Sequence, residues 1–238
     1  MNWKAVLAAF LMTCSTSALA EVCSGTYQDN QNTVKLAQVT KKTPLYNEST
    51  ASGTCARTGS CGTKGFLIAG DPVAVTATRG GWACVMFTGV NGRATWNQAF
   101  PLSSLKFVAA GGTLEGSWEV EDQSLFIRRQ GGRLMVRGWT QWPWSSTPDP
   151  AVQRRLKESG PNIGNVDTSV NLSRGATWAR FVEGAGEYAC QLQVRVLGPY
   201  LFASDNNQCG GVNATFSGLY RLTGKTVSEQ DWRSAKAP

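Results

Sequence analysis

The stretch CQLQVRVL, residues 190–197, indicates the fold class more clearly than any other part of the chain. Apolar residues at the even positions from 190 to 196 alternate with polar residues at the odd positions from 191 to 195. A period of two is typical of a β-strand with one buried and one solvent-exposed face. Gly198-Pro199 then turns the chain into Tyr200-Leu201-Phe202-Ala203, so the sequence predicts a β-hairpin.

Further hairpins are predicted on the N-terminal side of this one. Residues 73–78 and 82–87 flank Gly80-Gly81, and residues 124–128 and 133–137 flank Gly131-Gly132. Helical signals are scarce. The best is at residues 149–158, where Asp149 is suited to cap a helix that begins at Pro150. The pattern predicts an all-β protein.

Composition excludes several classes of function. The 238 residues contain no His, which rules out a Ser-His-Asp triad, a Cys-His pair and imidazole metal ligands. Hydrophobic residues make up 42% and charged residues 16%, which is typical of a folded chain. No Gly-rich phosphate loop or metal-binding spacing is present, so we expect no cofactor.

Residues 1–20 have the features of a secretory signal peptide. Lys4 supplies the positive start, residues 5–12 form an apolar run, and Ala18-Leu19-Ala20 offers small residues for cleavage. The sequence Leu11-Met12-Thr13-Cys14 offers an alternative, a lipoprotein anchored at Cys14. No later segment is apolar over the ~20 residues that a membrane-spanning helix needs. We therefore expect a periplasmic or secreted bacterial protein without a transmembrane segment.

Six cysteines remain after the signal, an even number that predicts disulfides in an exported chain. The 190–203 hairpin brings Cys190 opposite residues 207–209, which predicts a Cys190–Cys209 bond worth roughly 3 kcal/mol. We expect the other four to pair as Cys55–Cys61 and Cys23–Cys84. Zinc is disfavoured because the Cys55–Cys61 spacing is not CxxC and no His is available.

A boundary is predicted at residues 107–112, where Gly111-Gly112 ends an apolar run. The expected organisation is a signal peptide (1–20), a first domain (21–108), a second domain (113–224) and a C-terminal tail (225–238). Both domains have sizes that suit small β units with their own cores.

The stretch from Thr43 to Leu105 resembles bacterial SH3-like (SH3b) domains. Leu45 stands in the opening strand. Gly70-Asp71 precedes the strand at 72–75, Gly81-Trp82 begins the central element, and Gly92–Trp96 stands where the last element belongs. The resemblance implies a small barrel that binds cell-wall peptides or proteins through its loops and outer groove. On this view Trp82 belongs to the core, and Tyr46, Arg93 and Trp96 are candidate ligand-binding residues.

Residues 113–222 resemble a small antiparallel barrel of the lipocalin or avidin style. The resemblance is carried by Gly116-Ser117-Trp118 at the start and Gly218-Leu219-Tyr220-Arg221 at the end. It implies that Trp118 closes one end of a barrel and that Arg221 stacks over it. The predicted fold is thus an SH3-like barrel followed by a second antiparallel barrel or sandwich.

Three tryptophans, Trp139, Trp142 and Trp144, lie within six residues next to prolines. Because Pro143 predicts a strand end or loop, we interpret them as a contact surface for a partner protein or a glycan. The alternative is that they fill the interface between the two halves.

The leading functional hypothesis is a non-enzymatic envelope protein that binds peptidoglycan peptide or a periplasmic protein. A proteinaceous inhibitor or immunity protein of a cell-wall hydrolase is the alternative. A third hypothesis is a glycosidase that uses Glu119 and Glu121, which share one face if their segment is a strand. The sequence pI near 9.2 favours an anionic envelope surface over nucleic acid in an exported protein. The sequence does not fix an oligomeric state.

Overall fold

The computed structural model describes Cys23 and residues 33–46, 62–142 and 149–235, and it confirms the all-β prediction. The first of its two antiparallel sheets has the order β3-β2-β6-β5-β4-β1-β7 and curls into a half-barrel. Its strands are β1 (Lys35–Val39), β2 (Thr43–Tyr46), β3 (Gly62–Leu67), β4 (Pro72–Arg79), β5 (Trp82–Thr88), β6 (Ala94–Pro101) and β7 (Leu105–Phe107).

The second sheet has the order β11-β10-β9-β8-β15-β14-β13-β12, which is an up-and-down meander. Two helices accompany it. Its strands are β8 (Gly116–Val120), β9 (Gln123–Gln130), β10 (Arg133–Trp142), β11 (Asn162–Asn171), β12 (Trp178–Glu183), β13 (Cys190–Leu197), β14 (Tyr200–Asp205) and β15 (Gly218–Gly224), and the helices are α1 (Pro150–Ser159) and α2 (Glu229–Ser234).

The second sheet is a nearly closed barrel. β8 pairs with β15, which leaves β11 and β12 as the two edges. Side chains join these edges: the Thr168 hydroxyl donates to the Val182 carbonyl over 3.0 Å, and the Asp167 amide donates to a Glu183 carboxylate oxygen over 2.9 Å. The interior is packed with side chains, among them Trp118, Phe181, Phe216 and Tyr220, each at most 1% exposed.

The loop between β14 and β15 covers one end of the barrel. Asp205, 6% exposed, accepts hydrogen bonds from the Thr215 hydroxyl over 2.7 Å and from the Phe216 amide over 2.8 Å. The predicted Cys190–Cys209 disulfide is present and ties the same loop to β13. A buried carboxylate and a covalent bond therefore fix this loop together.

The two halves meet across a buried apolar interface. Leu36, Ala74 and Met86 of the first sheet pack against apolar residues of the second; these are Leu197, Tyr200, Phe202 and Leu219. Every residue of β14 is buried, because one face points into the barrel and the other onto the first sheet. The halves are therefore joined through a shared core.

The first half carries the second predicted disulfide. Cys23 and Cys84 are bonded, which ties the N-terminal side of the chain to β5. Trp82 is half-buried beside this disulfide. The Tyr46 ring packs edge-on against the Trp82 ring, with centroids 5.1 Å apart. Cys55 and Cys61 lie outside the described residues.

The segment assigned as a C-terminal tail contains α2, which packs on the outside of the barrel. The guanidinium groups of Arg128 and Arg137 lie 4.1 and 4.7 Å from the centroid of the Trp232 ring. Arg137 also donates to the Trp232 carbonyl over 2.9 Å. The helix is attached by stacking and hydrogen bonding together.

The predicted stacking of Arg221 on Trp118 is wrong. Trp118 points inward, and its indole donates to the Leu114 carbonyl over 2.9 Å. Arg221 is paired with exposed Glu119 of β8 and therefore points outward, where its guanidinium lies 6.0 Å from the Tyr200 ring. The strand alternation places the two side chains on opposite faces.

The helix predicted to begin at Pro150 is confirmed as α1. The Asp149 carboxylate accepts from the amides of Ala151 and Val152, which caps α1 as predicted. Neither α1 nor α2 is long and apolar enough to span a membrane.

Tyr200 gives a test of the interface through alkaline pH. Its ring is fully buried, and its hydroxyl donates to the Pro72 carbonyl over 3.0 Å. Burial raises the pKa of Tyr200 to about 12, although the nearby Arg221 opposes the rise. The stability that comes from keeping this phenol neutral is complete below pH ~10 and is lost as the pH rises through ~12, up to about 2–3 kcal/mol.

We expect Tyr200→Phe to be less stable than the native chain by about 1 kcal/mol at pH 8, since it loses a buried hydrogen bond. That deficit shrinks or reverses near pH 12, because phenylalanine has no proton to lose. Urea unfolding at both pH values measures the difference. Tyr188→Phe is the control, since Tyr188 is 74% exposed. A deficit in Tyr200→Phe that is constant with pH contradicts the assignment.

Candidate functional site

The loop of residues 89–93, between β5 and β6, presents an apolar side chain to solvent. Val90 at its tip is 88% exposed, and Arg93 is exposed beside it. The loop bonds to itself: the Gly89 amide donates to the Arg93 carbonyl over 3.0 Å, and the Gly92 amide donates to the Gly89 carbonyl over 3.1 Å. Gly92 has a φ of 75°, a conformation that glycine adopts readily.

The second half of the molecule holds this loop from the side. The Glu121 amide donates to the Gly92 carbonyl over 2.9 Å, and the Glu121 carboxylate accepts from the Ala94 amide over 3.3 Å. Glu121 itself has a φ of 46° in the tight turn between β8 and β9. A non-glycine residue in this region is uncommon and costs free energy. The turn that carries this strain is the one that contacts the 89–93 loop.

The base of the loop is fixed to the barrel as well. Thr88 is fully buried, and its hydroxyl donates to the Leu219 carbonyl of β15. The Thr88 carbonyl in turn accepts from Arg221 over 3.1 Å. Hydrogen bonds from β15 and from the β8–β9 turn therefore hold the 89–93 loop in one conformation.

This arrangement is suited to insertion into a concave surface. A β-branched side chain has few rotamers, so Val90 has little side-chain entropy to lose when it is buried. Arg93 adds a cation with several donors for a carboxylate-lined partner. Within the described part of the chain, no group of three or more His, Cys, Asp or Glu side chains is placed to hold a metal ion.

Of the three candidate ligand-binding residues in the first half, only Arg93 is exposed. Trp96 is half-buried and packs against the interface cluster, close to Gly218 of β15. Tyr46 packs against Trp82 and the Cys23–Cys84 bond. Tyr46 and Trp96 are thus half-buried, and Arg93 is the exposed member of the three.

The predicted tryptophan surface is only partly described. Trp139 lies on the outer face of β10 and Trp142 ends that strand; both are half-buried. Trp144 lies outside the described residues. The described cluster between the two halves contains neither Trp139 nor Trp142.

Glu119 and Glu121 bind separate partners. A Glu119 carboxylate oxygen accepts from the Thr223 hydroxyl over 3.2 Å, whereas the Glu121 carboxylate accepts from the Ala94 amide. Glu119 lies on a strand and Glu121 in the turn that follows, where the positive φ breaks the alternation. Glu121 therefore does not continue the strand on which Glu119 lies.

No protein-family model, curated protein or solved structure matches this chain. The resemblances to bacterial SH3-like domains and to lipocalin- or avidin-style barrels therefore remain predictions.

Sequence reasoning missed Val90 as a site residue, and it named Glu121 only as a possible catalytic carboxylate. The sequence from Gly89 to Gly92 is typical of an ordinary turn. Its one local signal of a binding site is Val90, an apolar residue inside a turn. The contact of Glu121 with this turn joins residues 27 positions apart in sequence and has no local pattern.

Glu121→Ala tests whether the second half holds the loop. Loss of the carboxylate leaves the Ala94 amide without its acceptor, so we expect that amide to exchange hydrogen with solvent about 5–10-fold faster. Native-state hydrogen exchange read by NMR measures the rate. Glu119→Ala removes the same charge from the same hairpin and is expected to leave the Ala94 rate unchanged. Equal rates in both variants would count against the contact.

Proposed function

We propose that this chain is a non-enzymatic binding protein of the bacterial envelope that inserts its 89–93 loop into the cleft of a partner protein. The partner class that fits the loop chemistry best is a cell-wall hydrolase, which makes the protein an inhibitor or immunity protein. The observation that carries the proposal is Val90, an apolar side chain 88% exposed on a loop that both halves hold.

Rigidity is what makes this loop a good inserting element. Binding costs conformational entropy when a flexible loop must be ordered, and a loop already held in one conformation avoids most of that cost. Here Glu121 donates to the loop at Gly92, and at its base Thr88 donates to Leu219 and accepts from Arg221, so the loop is ordered before any partner binds. Central, rigid side chains of this kind are typical of binding hot spots.

Charge supports a glycan-cleaving partner. Most glycoside hydrolases use a pair of carboxylates on the two sides of the scissile bond, so their clefts are acidic. Arg93 lies three residues from the loop tip and carries a guanidinium that pairs with carboxylates. Val90 would fill the apolar part of the cleft while Arg93 meets the carboxylates.

Location is proposed from two features of the chain. Residues 1–20 have the pattern of a secretory signal. The paired cysteines, Cys23–Cys84 and Cys190–Cys209, are typical of oxidising compartments. Both support a periplasmic or secreted protein, in the same compartment as cell-wall hydrolases.

Inhibition of purified enzymes tests the proposal. A panel of one lysozyme, one lytic transglycosylase and one amidase is assayed on cell-wall substrate with and without the mature, oxidised protein. We expect inhibition of at least one glycan-cleaving enzyme. Val90→Asp and Arg93→Glu should each weaken that inhibition at least tenfold, because each removes a contact at the loop.

Val212→Asp is the matched control for Val90→Asp. Val212 is also an exposed valine, at 76%, but lies on the loop that covers the barrel end. It should leave inhibition unchanged. Inhibition that survives Val90→Asp, or falls equally with Val212→Asp, would refute the assignment to the 89–93 loop.

A second candidate function, binding of wall peptide, is supported by a groove in the first half. Val75, Ala77, Leu102 and Phe107 line a cleft of about 430 Å³. The ammonium of Lys35 lies 5.7 Å from the Phe107 ring centroid, where it can meet a peptide carboxylate. Sedimentation with purified peptidoglycan that is lost in Phe107→Ser and kept in Val90→Asp would favour this function over inhibition.

A further inference from the structure

Positive charge is concentrated in the first half of the molecule. Residues 21–107 contain eight Lys and Arg against four acidic residues, a net charge of +4. Residues 108–238 contain 14 Lys and Arg against 12 acidic residues, a net charge of only +2. Among the described residues of the first half, the only carboxylate is that of Asp71, which accepts from the Ile68 amide over 2.8 Å. This asymmetry points to an anionic partner for the first half.

Some of this charge surrounds two exposed apolar side chains at one edge of the sheet. Phe66 and Ile68 are each 51% exposed at the end of β3, the edge strand. The Lys42 ammonium lies 4.1 Å from the Phe66 ring centroid, and Lys64 precedes Phe66 by two residues on β3. We call the set Lys41, Lys42, Lys64, Phe66 and Ile68 the basic edge.

The pairing of β2 with β3 fixes the basic edge. Thr43 is opposite Leu67 and Pro44 is opposite Phe66, so Lys42 stands beside Ile68 at the end of the ladder. All three lysines are exposed. Cationic and apolar groups therefore alternate over one small area.

Protection of the sheet edge does not explain this composition. Lysines on an edge strand discourage pairing with another chain, and this accounts for Lys64. The same purpose disfavours exposed apolar residues beside them, yet Phe66 and Ile68 are both more than half exposed. Their exposure is a cost in water that a partner surface would remove.

We propose that the basic edge binds the surface of an anionic lipid bilayer. Aromatic and aliphatic side chains insert into the boundary between headgroups and acyl chains, and neighbouring lysines are attracted to the negative surface potential. Lysine suits this role because its ammonium is a hydrated point charge that needs no fixed partner geometry. A soluble anionic polymer would engage the lysines but would gain little from Phe66 and Ile68.

The placement of the basic edge leaves the 89–93 loop free. Tyr46 of β2 is opposite Ala99 of β6, so Lys42 lies toward the Pro101 end of β6. The 89–93 loop joins the Ala94 end of the same eight-residue strand. A strand of this length spans about 25 Å. A molecule bound through the basic edge therefore carries the loop away from the bilayer.

Vesicle sedimentation tests the inference on the mature, oxidised chain. Neutral phosphatidylcholine vesicles are compared with vesicles that contain phosphatidylglycerol, at low and high salt. We expect binding to the anionic vesicles alone, weakened by salt. Lys42→Glu with Lys64→Glu, and separately Phe66→Ser with Ile68→Ser, should each reduce binding at least tenfold.

Lys35→Glu with Arg79→Glu is the matched control. It changes the net charge of the same half equally, but Lys35 begins β1 and Arg79 ends β4, at the opposite end of these strands from Lys41 and Lys42. It should reduce vesicle binding much less than the basic-edge pair. Equal loss in both pairs would show general electrostatic attraction and would overturn the local site.

The apolar pair separates a bilayer from an anionic polymer. Vesicle binding that is unchanged in Phe66→Ser with Ile68→Ser overturns insertion. Binding to soluble lipoteichoic-acid polymer without binding to vesicles also overturns the bilayer proposal. Circular dichroism of each variant confirms that the exposed substitutions leave the fold intact. These readouts do not involve enzyme inhibition, so they stand or fall separately from the proposed function.

Discussion

The contact of Thr88 with β14 and β15 is the interaction on which the rest of the structure depends. The Thr88 hydroxyl donates to the Leu219 carbonyl, and its own carbonyl accepts from Arg221. Tyr200 lies beside them, fully buried between the two sheets. A buried polar group must be paired, so these bonds fix how the sheets sit on each other. The strand that leads into the 89–93 loop is held at the same point.

This contact lets two small β units act as one body. Each sheet has an apolar face outside its own core, Leu36, Ala74 and Met86 on one side and Tyr200 with Phe202 on the other. Small domains bury a limited fraction of their surface, so an additional shared core contributes strongly to stability. One rigid body can then present two separate surfaces, the 89–93 loop and the basic edge, in a constant relation.

Local features could be predicted from the sequence, and contacts between distant segments could not. The strand at 190–197, the Asp149 cap and the bonds Cys190–Cys209 and Cys23–Cys84 follow from patterns within one hairpin or from counting. Arg221 was misplaced because it bonds to Thr88 in the other half of the chain. Thr88 and Leu219 are 131 residues apart. A usable signal was the unbroken apolar run at 200–203, which is typical of a strand buried on both faces.

The central claim is that both halves unfold together because they share a buried interface. Differential scanning calorimetry of the mature, oxidised chain tests it most directly. A single transition, with a calorimetric enthalpy equal to the van't Hoff enthalpy, is the result expected of one cooperative body. Two separable transitions, with residues 33–107 losing structure at a different temperature from residues 116–224, would contradict it.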